Sequence, residues 1–217
     1  MNMFKSSLLL SGALILGANA NAGIISTYND KSQFLSDTSA SSLTGTIPNS
    51  GNIGSNATQG DVSFSTSAYS TTSNMFFGQW STLILGNEMA ISGTENLDIA
   101  VNLSSAVKTF GFDFHEPTAT NQTIDGTNTP FSHESIFTIS FFDGATLVDF
   151  TSFDPLSDQL EFFGVASDAS FDAVAITENL AGVTYSSGID ISNDNEFFGE
   201  FYAGSKSISV PEPATGW

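Results

Sequence analysis

Two histidines, His115 and His133, are the only imidazoles among 217 residues, and there is no cysteine. Zero Cys excludes disulfides, thiolate zinc sites and a cysteine nucleophile. A Ser–His–Asp relay through either histidine would have to be recognised by geometry, because Ser and Asp lie near any position in a chain so rich in both. His115-Glu116 lacks the second histidine four residues on that a helical zinc site uses. A metal shared by His115 and His133 is a weaker reading than two loop histidines. Carboxylates are plentiful, and a glycosidase needs only two. Yet the Glu-x-Asp-x-x-Glu pattern of strand-borne glycosidases is absent, as are phosphate-loop and dinucleotide patterns. The expectation is a protein that is not an enzyme, with no cofactor beyond one candidate metal.

That metal is calcium. Asp190-Ile191-Ser192-Asn193-Asp194-Asn195-Glu196 is the densest run of oxygen ligands, and hard oxygens suit Ca²⁺. As an EF-hand it fails, with Asn195 at the sixth position and Phe201 at the twelfth. Asp194 and Asp190 are the expected ligands of a structural ion; the competing reading is an Asx-rich turn. Sugar binding needs an aromatic platform with a few fixed polar groups. Trp80, Tyr69 and Tyr185 are the candidates, Trp80 and Tyr185 foremost, although each also reads as core or edge packing.

The balance of charge narrows the partners. There are 23 Asp and Glu against 4 Lys and Arg, a formal charge of −19. Counterion release from nucleic acid needs clustered cations, so no nucleic-acid partner is expected. An anionic membrane surface is disfavoured for the same reason.

The elements that must position any site read as strands. Leu97, Ile99, Val101 and Leu103 alternate with Asn96, Asp98, Ala100 and Asn102. Phe110, Phe112 and Phe114 alternate with Thr109, Gly111 and Asp113, and Phe137, Ile139 and Phe141 with Thr138 and Ser140. This period of two marks half-buried strands. Asp143-Gly144 between two apolar runs predicts a two-residue type I′ hairpin. Further strands are expected near Val62–Ser67, Thr82–Leu85, Glu88–Ser92, Leu147–Phe153, Leu160–Val165, Ala173–Thr177 and Glu196–Tyr202. The phase breaks at Phe171–Ile176, a bulge or an edge. One short helix fits, capped by Asn29 or Asp30 and running through Phe34 and Leu35. Residues 36–60, rich in Ser, Thr, Asn and Gly, read as an irregular loop. Many short strands with polar turns give an all-β fold, an antiparallel β-sandwich of jelly-roll type with at most one or two short helices.

The two ends carry addresses. Lys5 precedes an apolar stretch, Leu8 to Leu16, and then Ala18-Asn19-Ala20-Asn21-Ala22 offers two overlapping small-x-small sites. This is the layout of a secretory signal, residues 1–22, with signal peptidase cutting between Ala22 and Gly23. The apolar run is about half of the ~20 residues that cross a bilayer. A Cys-free exported chain points to a bacterial envelope or extracellular protein. The exported domain is then 23–205, followed by a linker, 206–217. Within it stands Val210-Pro211-Glu212-Pro213-Ala214-Thr215. Its two prolines fix φ and remove two amide donors, which keeps the segment extended and outside the sheet.

These six residues resemble the sorting motif of the bacterial PEP-CTERM proteins. Phe110-Gly111-Phe112-Asp113-Phe114, Phe141-Phe142-Asp143-Gly144, Phe162-Phe163-Gly164-Val165, Phe171-Asp172-Ala173-Val174 and Asp194-Asn195 are similar to that family's exported domains, in the same order. The resemblance implies an exported cell-surface or extracellular-matrix protein associated with exopolysaccharide, biofilm or floc. It implies cleavage near the motif by an exosortase-type membrane peptidase. In that family a membrane helix and a basic tail follow the motif, and neither stands after Trp217 here. The function expected from the sequence is therefore a non-catalytic exported surface protein. The alternatives are a carbohydrate-binding module with structural calcium and, third, a hydrolase of unrecognised type.

Overall fold

Phe110, Phe112 and Phe114 are all fully buried on one side of a single strand, and the fold is built around that strand. The computed structural model describes residues 23–68, 74–92, 97–116, 122–124, 127–129, 135–156, 158–180 and 195–208. In chain order the elements are β1 (Ile24–Tyr28), α1 (Lys31–Thr38), β2 (Ser41–Ser42), β3 (Gly51–Gly54), β4 (Asn56–Gln59), β5 (Val62–Ala68), β6 (Asn74–Gly78) and β7 (Glu88–Ser92). There follow β8 (Leu97–His115), β9 (Gln122–Ile124), β10 (Thr127–Thr129), β11 (Ser135–Asp143), β12 (Thr146–Phe153), β13 (Leu160–Leu180) and β14 (Asn195–Gly204). Every pairing is antiparallel. The protein is an antiparallel β-sandwich with one short helix among the described residues, as the period-two patterning predicts.

The sandwich is made by two strands that belong to both of its layers. The first part of β8 lies between β5 and the second part of β13, through Val101↔Phe64 and Val101↔Val174. Its second part lies between the first part of β13 and β14, through Phe112↔Phe163 and Phe112↔Phe201. β13 changes layer where its register with β8 slips, between Ala166 and Ala173. This is the phase break seen in the sequence, and a slip of register is how a strand turns a corner between sheets. One layer thus runs β1-β13-β8-β14-β7-β6-β3, and the other β12-β11-β13-β8-β5-β4. Aromatic rings fill the space between them: Phe112 meets Phe153 at 5.9 Å, Phe114 meets Phe137 at 5.2 Å, and Phe64 meets Phe201 at 5.0 Å between centroids.

The first layer is covered on its outer side as well. Gly111 and Gly164 face each other across the β8–β13 ladder. On this shelf lie Phe162 and, from α1, Phe34, at 5.3 Å from each other. The helix is capped as expected, with Asp30 Oδ1 accepting from Gln33 N at 2.8 Å. It ends at Ser39, which is left-handed with φ 54° and donates its N–H to Leu35 O at 3.0 Å.

Three local expectations are corrected. Residues 36–60 contain the end of α1 and the short strands β2, β3 and β4. They lack alternation because they join sheet edges by backbone bonds, such as Leu43 N to Phe201 O at 2.7 Å, with Ile47 as the buried anchor. The segment Thr82–Leu85 is not a strand: the amides of Leu83 and Ile84 both bond to Ser81 Oγ at 3.1 Å, which folds the chain into a bend. The hairpin after β11 pairs Asp143 with Thr146, so its loop is Gly144-Ala145. Gly144 has φ 57° and Ala145 has no positive φ, which makes the turn type II′ with Gly in its first central position.

Candidate functional site

The outer face of the first layer carries a cleft of about 410 Å³. Its floor is the outward side of three strands: Asp113 on β8, Phe162 on β13, and Glu200 and Tyr202 on β14. One wall is the start of α1 with Lys31, and the other is the segment 79–87 with Leu85 and Asn87.

Glu200 and Tyr202, two residues apart, share the outer face of β14, while a local irregularity keeps both Phe198 and Phe201 in the core. Between Phe198 and Phe201 the register of β14 against β8 shifts, so Gly199 and Glu200 together oppose Asp113. Tyr202 OH donates to Glu200 Oε2 at 2.6 Å, and Asp113 Oδ2 stands 3.3 Å from the same hydroxyl. Lys31 Nζ pairs with Asp113 Oδ2 at 2.7 Å and lies 4.6 Å from the centre of the Tyr202 ring. Burial pushes the Asp113 carboxyl above its usual value, with the Lys31 ammonium opposing it. Burial, then the bond to Glu200, raises the Tyr202 phenol far above the ordinary tyrosine value. Tyr202 is therefore a fixed neutral donor. The cleft has immobilised polar groups beside apolar surface, including Leu85, which is 95% exposed.

The wall formed by 79–87 is pinned from beneath. Ser81 Oγ stands 2.8 Å from His115 Nδ1. Both lone pairs of that oxygen already accept, from Leu83 N and Ile84 N at 3.1 Å. The hydroxyl proton therefore goes to Nδ1, and the imidazole carries its own proton on Nε2. Burial holds the His115 imidazole below its usual value, opposed by the charge of Asp158. The serine and the histidine are both buried, so this pair anchors the segment to β8. Glu88, 0% exposed, adds two more ties: its Oε1 accepts from Trp80 N and from Ser81 N. Ile84 then packs with Ala90, Phe197 and Phe76.

Of the residues singled out in the sequence, Trp80 is on this face of the sandwich. It is 45% exposed, its ring lies over Gly78 where any Cβ would collide with it, and it meets Phe76 edge-on. It does not line the cleft. Gly23 is described and Ala22 is not. Tyr69, Tyr185, Asp190, Asp194, His133 and the motif Val210–Thr215 lie outside the described residues. Among the described residues there is no group of three or more metal-ligating side chains, and no helix is long and apolar enough to cross a membrane. Asp113, Glu200, Tyr202 and Lys31 were not singled out. Their one sequence signal is an acid on the polar side of a strand whose other side is all phenylalanine.

No protein-family model matches the chain, and no curated protein matches its sequence. Among solved structures, it is similar to a mutant of a family 29 carbohydrate binding module made to probe ligand recognition. The TM-score is 0.37 at 9% identity, over 80% of this chain and 99% of that one. A second mutant of a family 29 module gives a TM-score of 0.36 at 10% identity, over 70% of this chain and 99% of that one. A likeness at this level says nothing of this chain's ligand.

Proposed function

We propose that this chain is an exported, non-catalytic binding module that takes polysaccharide in the cleft over β8, β13 and β14. The observation that carries the reading is the cleft floor. Tyr202, Asp113 and Lys31 are mutually fixed there beside the apolar surface of Phe162, Leu85 and Leu160. A sugar presents a hydrophobic face and a rim of hydroxyls, and a preformed site with few convergent polar groups beside apolar surface suits both. The half-exposed Trp80 extends the apolar surface of the same sheet face. The export signal at residues 1–22 supports a location outside the cytoplasm. The motif Val210–Thr215 supports sorting to the cell surface by an exosortase-type peptidase.

Binding to a panel of immobilised neutral oligosaccharides tests the reading. Leu85 is exposed, and Gln at position 200 keeps an acceptor for the Tyr202 hydroxyl, so Leu85→Ala and Glu200→Gln should leave folding intact. Each should weaken binding about tenfold, the order of one lost contact of ~1.4 kcal/mol. A panel with no binder overturns the proposal. Binding that survives both changes but is lost in Trp80→Ala overturns the placement in the cleft and moves it to the Trp80 platform.

A further inference from the structure

Gly23 is held from three sides at the corner where β13 changes layer. Its nitrogen donates to Asp168 Oδ1 at 2.6 Å. Its carbonyl accepts from Ser167 Oγ at 3.0 Å and from Asp168 N at 3.2 Å. The next amide, Ile24 N, donates to Asp149 Oδ2 at 2.7 Å. Beside Gly23 opens a recess of about 520 Å³ whose rim also carries Asp143 and Asp149. Asp168 from β13 bonds this nitrogen directly, and the two charged residues that line the recess beside it, Asp143 from the end of β11 and Asp149 from β12, are both acids. The nearest cation, Lys108 on β8, bonds the carbonyl oxygen of Asp168 at 2.8 Å and Ser207 Oγ at 2.9 Å. Asp172, also near the corner, accepts from Gly144 N at 2.9 Å. At Gly23 N a single neutral amide donor meets the Asp168 carboxylate, with two further acids on the recess beside it.

The small-x-small pattern in the sequence predicts cleavage between Ala22 and Gly23. We propose that Asp168, with Asp149 and Asp143, is a receptor for the α-ammonium that this cleavage creates on Gly23. Hydrolysis consumes one water and breaks the Ala22–Gly23 C–N bond. It leaves a carboxylate on Ala22 and an ammonium on Gly23, so no further reactant is needed. The new group has three N–H donors and a full positive charge where the amide has one donor and none. A charge-assisted bond replaces a neutral one at the Asp168 oxygen, and two further donors become available toward the recess that carries Asp143 and Asp149. Processing thus places a cation against the Asp168 carboxylate, where Lys108 reaches only the backbone carbonyl, and the mature chain closes β1 onto β13 more firmly than the precursor does.

The test uses the chain beginning at Gly23, released so that no residue precedes it. The α-amine pKa is followed by NMR. It should lie above the ordinary 7.7–8.0 for a chain terminus, and Asp168→Asn should bring it back into that range. Asp168 is exposed and Asn keeps an acceptor of the same size, so this variant should fold. A raised folded-state pKa means the contribution to stability is full below about pH 8 and is lost as pH rises through the folded value. At pH 7 the free amine should melt about 1–3 °C above the Nα-acetylated chain, the size expected of one exposed ion pair in a domain of this length. Asp168→Asn should erase that difference. An α-amine that titrates in the ordinary range and ignores Asp168→Asn overturns the receptor. An intact mass of exported protein that places the first residue elsewhere than Gly23 overturns its role in maturation, whatever the amine titration gives.

Discussion

Gly111 and Gly164 are cross-strand partners, but they do not tolerate a methyl group equally. A Cβ at Gly111 would stand 2.7 Å from the carbonyl oxygen of Phe163 and 2.8 Å from the Phe162 ring. A Cβ at Gly164 would stand 2.8 Å from the Phe162 ring and 2.9 Å from the Phe34 ring. The first clash is with backbone held in a ladder between two long strands. The second is with ring edges, one of them on a helix that can shift. Overpacking costs about 1–3 kcal/mol. Gly111→Ala belongs at the upper end, near ~3 kcal/mol, and Gly164→Ala near ~1 kcal/mol. Both replacements reduce the freedom of the unfolded chain by the same amount, which cancels in the comparison. At about 2–4 °C per kcal/mol for a domain of this length, melting should fall by about 6–12 °C and about 2–4 °C respectively. Calorimetry of the two variants measures this, and a double-mutant cycle with Phe34→Leu identifies the cause. Gly164→Ala should couple to Phe34→Leu by ~0.5 kcal/mol or more, because the shorter side chain removes its clash, whereas Gly111→Ala should be additive with it within that margin. Equal melting losses, or equal coupling to Phe34, would refute the reasoning.

His115 is held below the ordinary imidazole value, so the unfolded chain takes up the proton first as pH falls. Its contribution to stability should be full above about pH 6.5 and decline as pH drops through the folded value; urea midpoints from pH 8 to 5 follow this, and His115→Asn, which keeps an acceptor for Ser81 without titrating, should flatten the profile. Glu88→Ala leaves the amides of Trp80 and Ser81 without their acceptor, at about 1–3 kcal/mol each, and should destabilise by at least ~2 kcal/mol while raising hydrogen exchange in 79–87; unchanged exchange there would show that the carboxylate does not hold the segment.

Local chemistry was legible where it is written in neighbouring residues. Asp30 before an apolar turn reads as a cap, and the lost alternation at Phe171 marks the corner of β13. Gly144 announces a hairpin, though the turn type depends on which residue follows it in the loop. The continuity of Leu97–Leu103 with Phe110–Phe114 was not legible, because the polar residues between them look like a turn when the partner strands are unknown. Residues 36–60 carry too few apolar positions to show a period, and their strands exist only because sheet edges offer bonds. The cleft is the least legible part. Asp113 and Tyr202 sit on faces that read as solvent-facing, and only α1 and the segment 79–87, distant in sequence, enclose them.

The passage of β8 and β13 through both layers has a consequence for how the molecule comes apart. In a sandwich whose sheets share no strand, one sheet can loosen while the other keeps its ladder, and local opening precedes global unfolding. Here the central ladder of each layer is the same pair of strands, so breaking it in one layer pulls on the other through continuous backbone. The amides of Val101 and of Phe112 should therefore exchange with solvent in a single cooperative event, at the free energy of complete unfolding. Among the described residues, a protease would find cuttable segments only at the edges of the two layers.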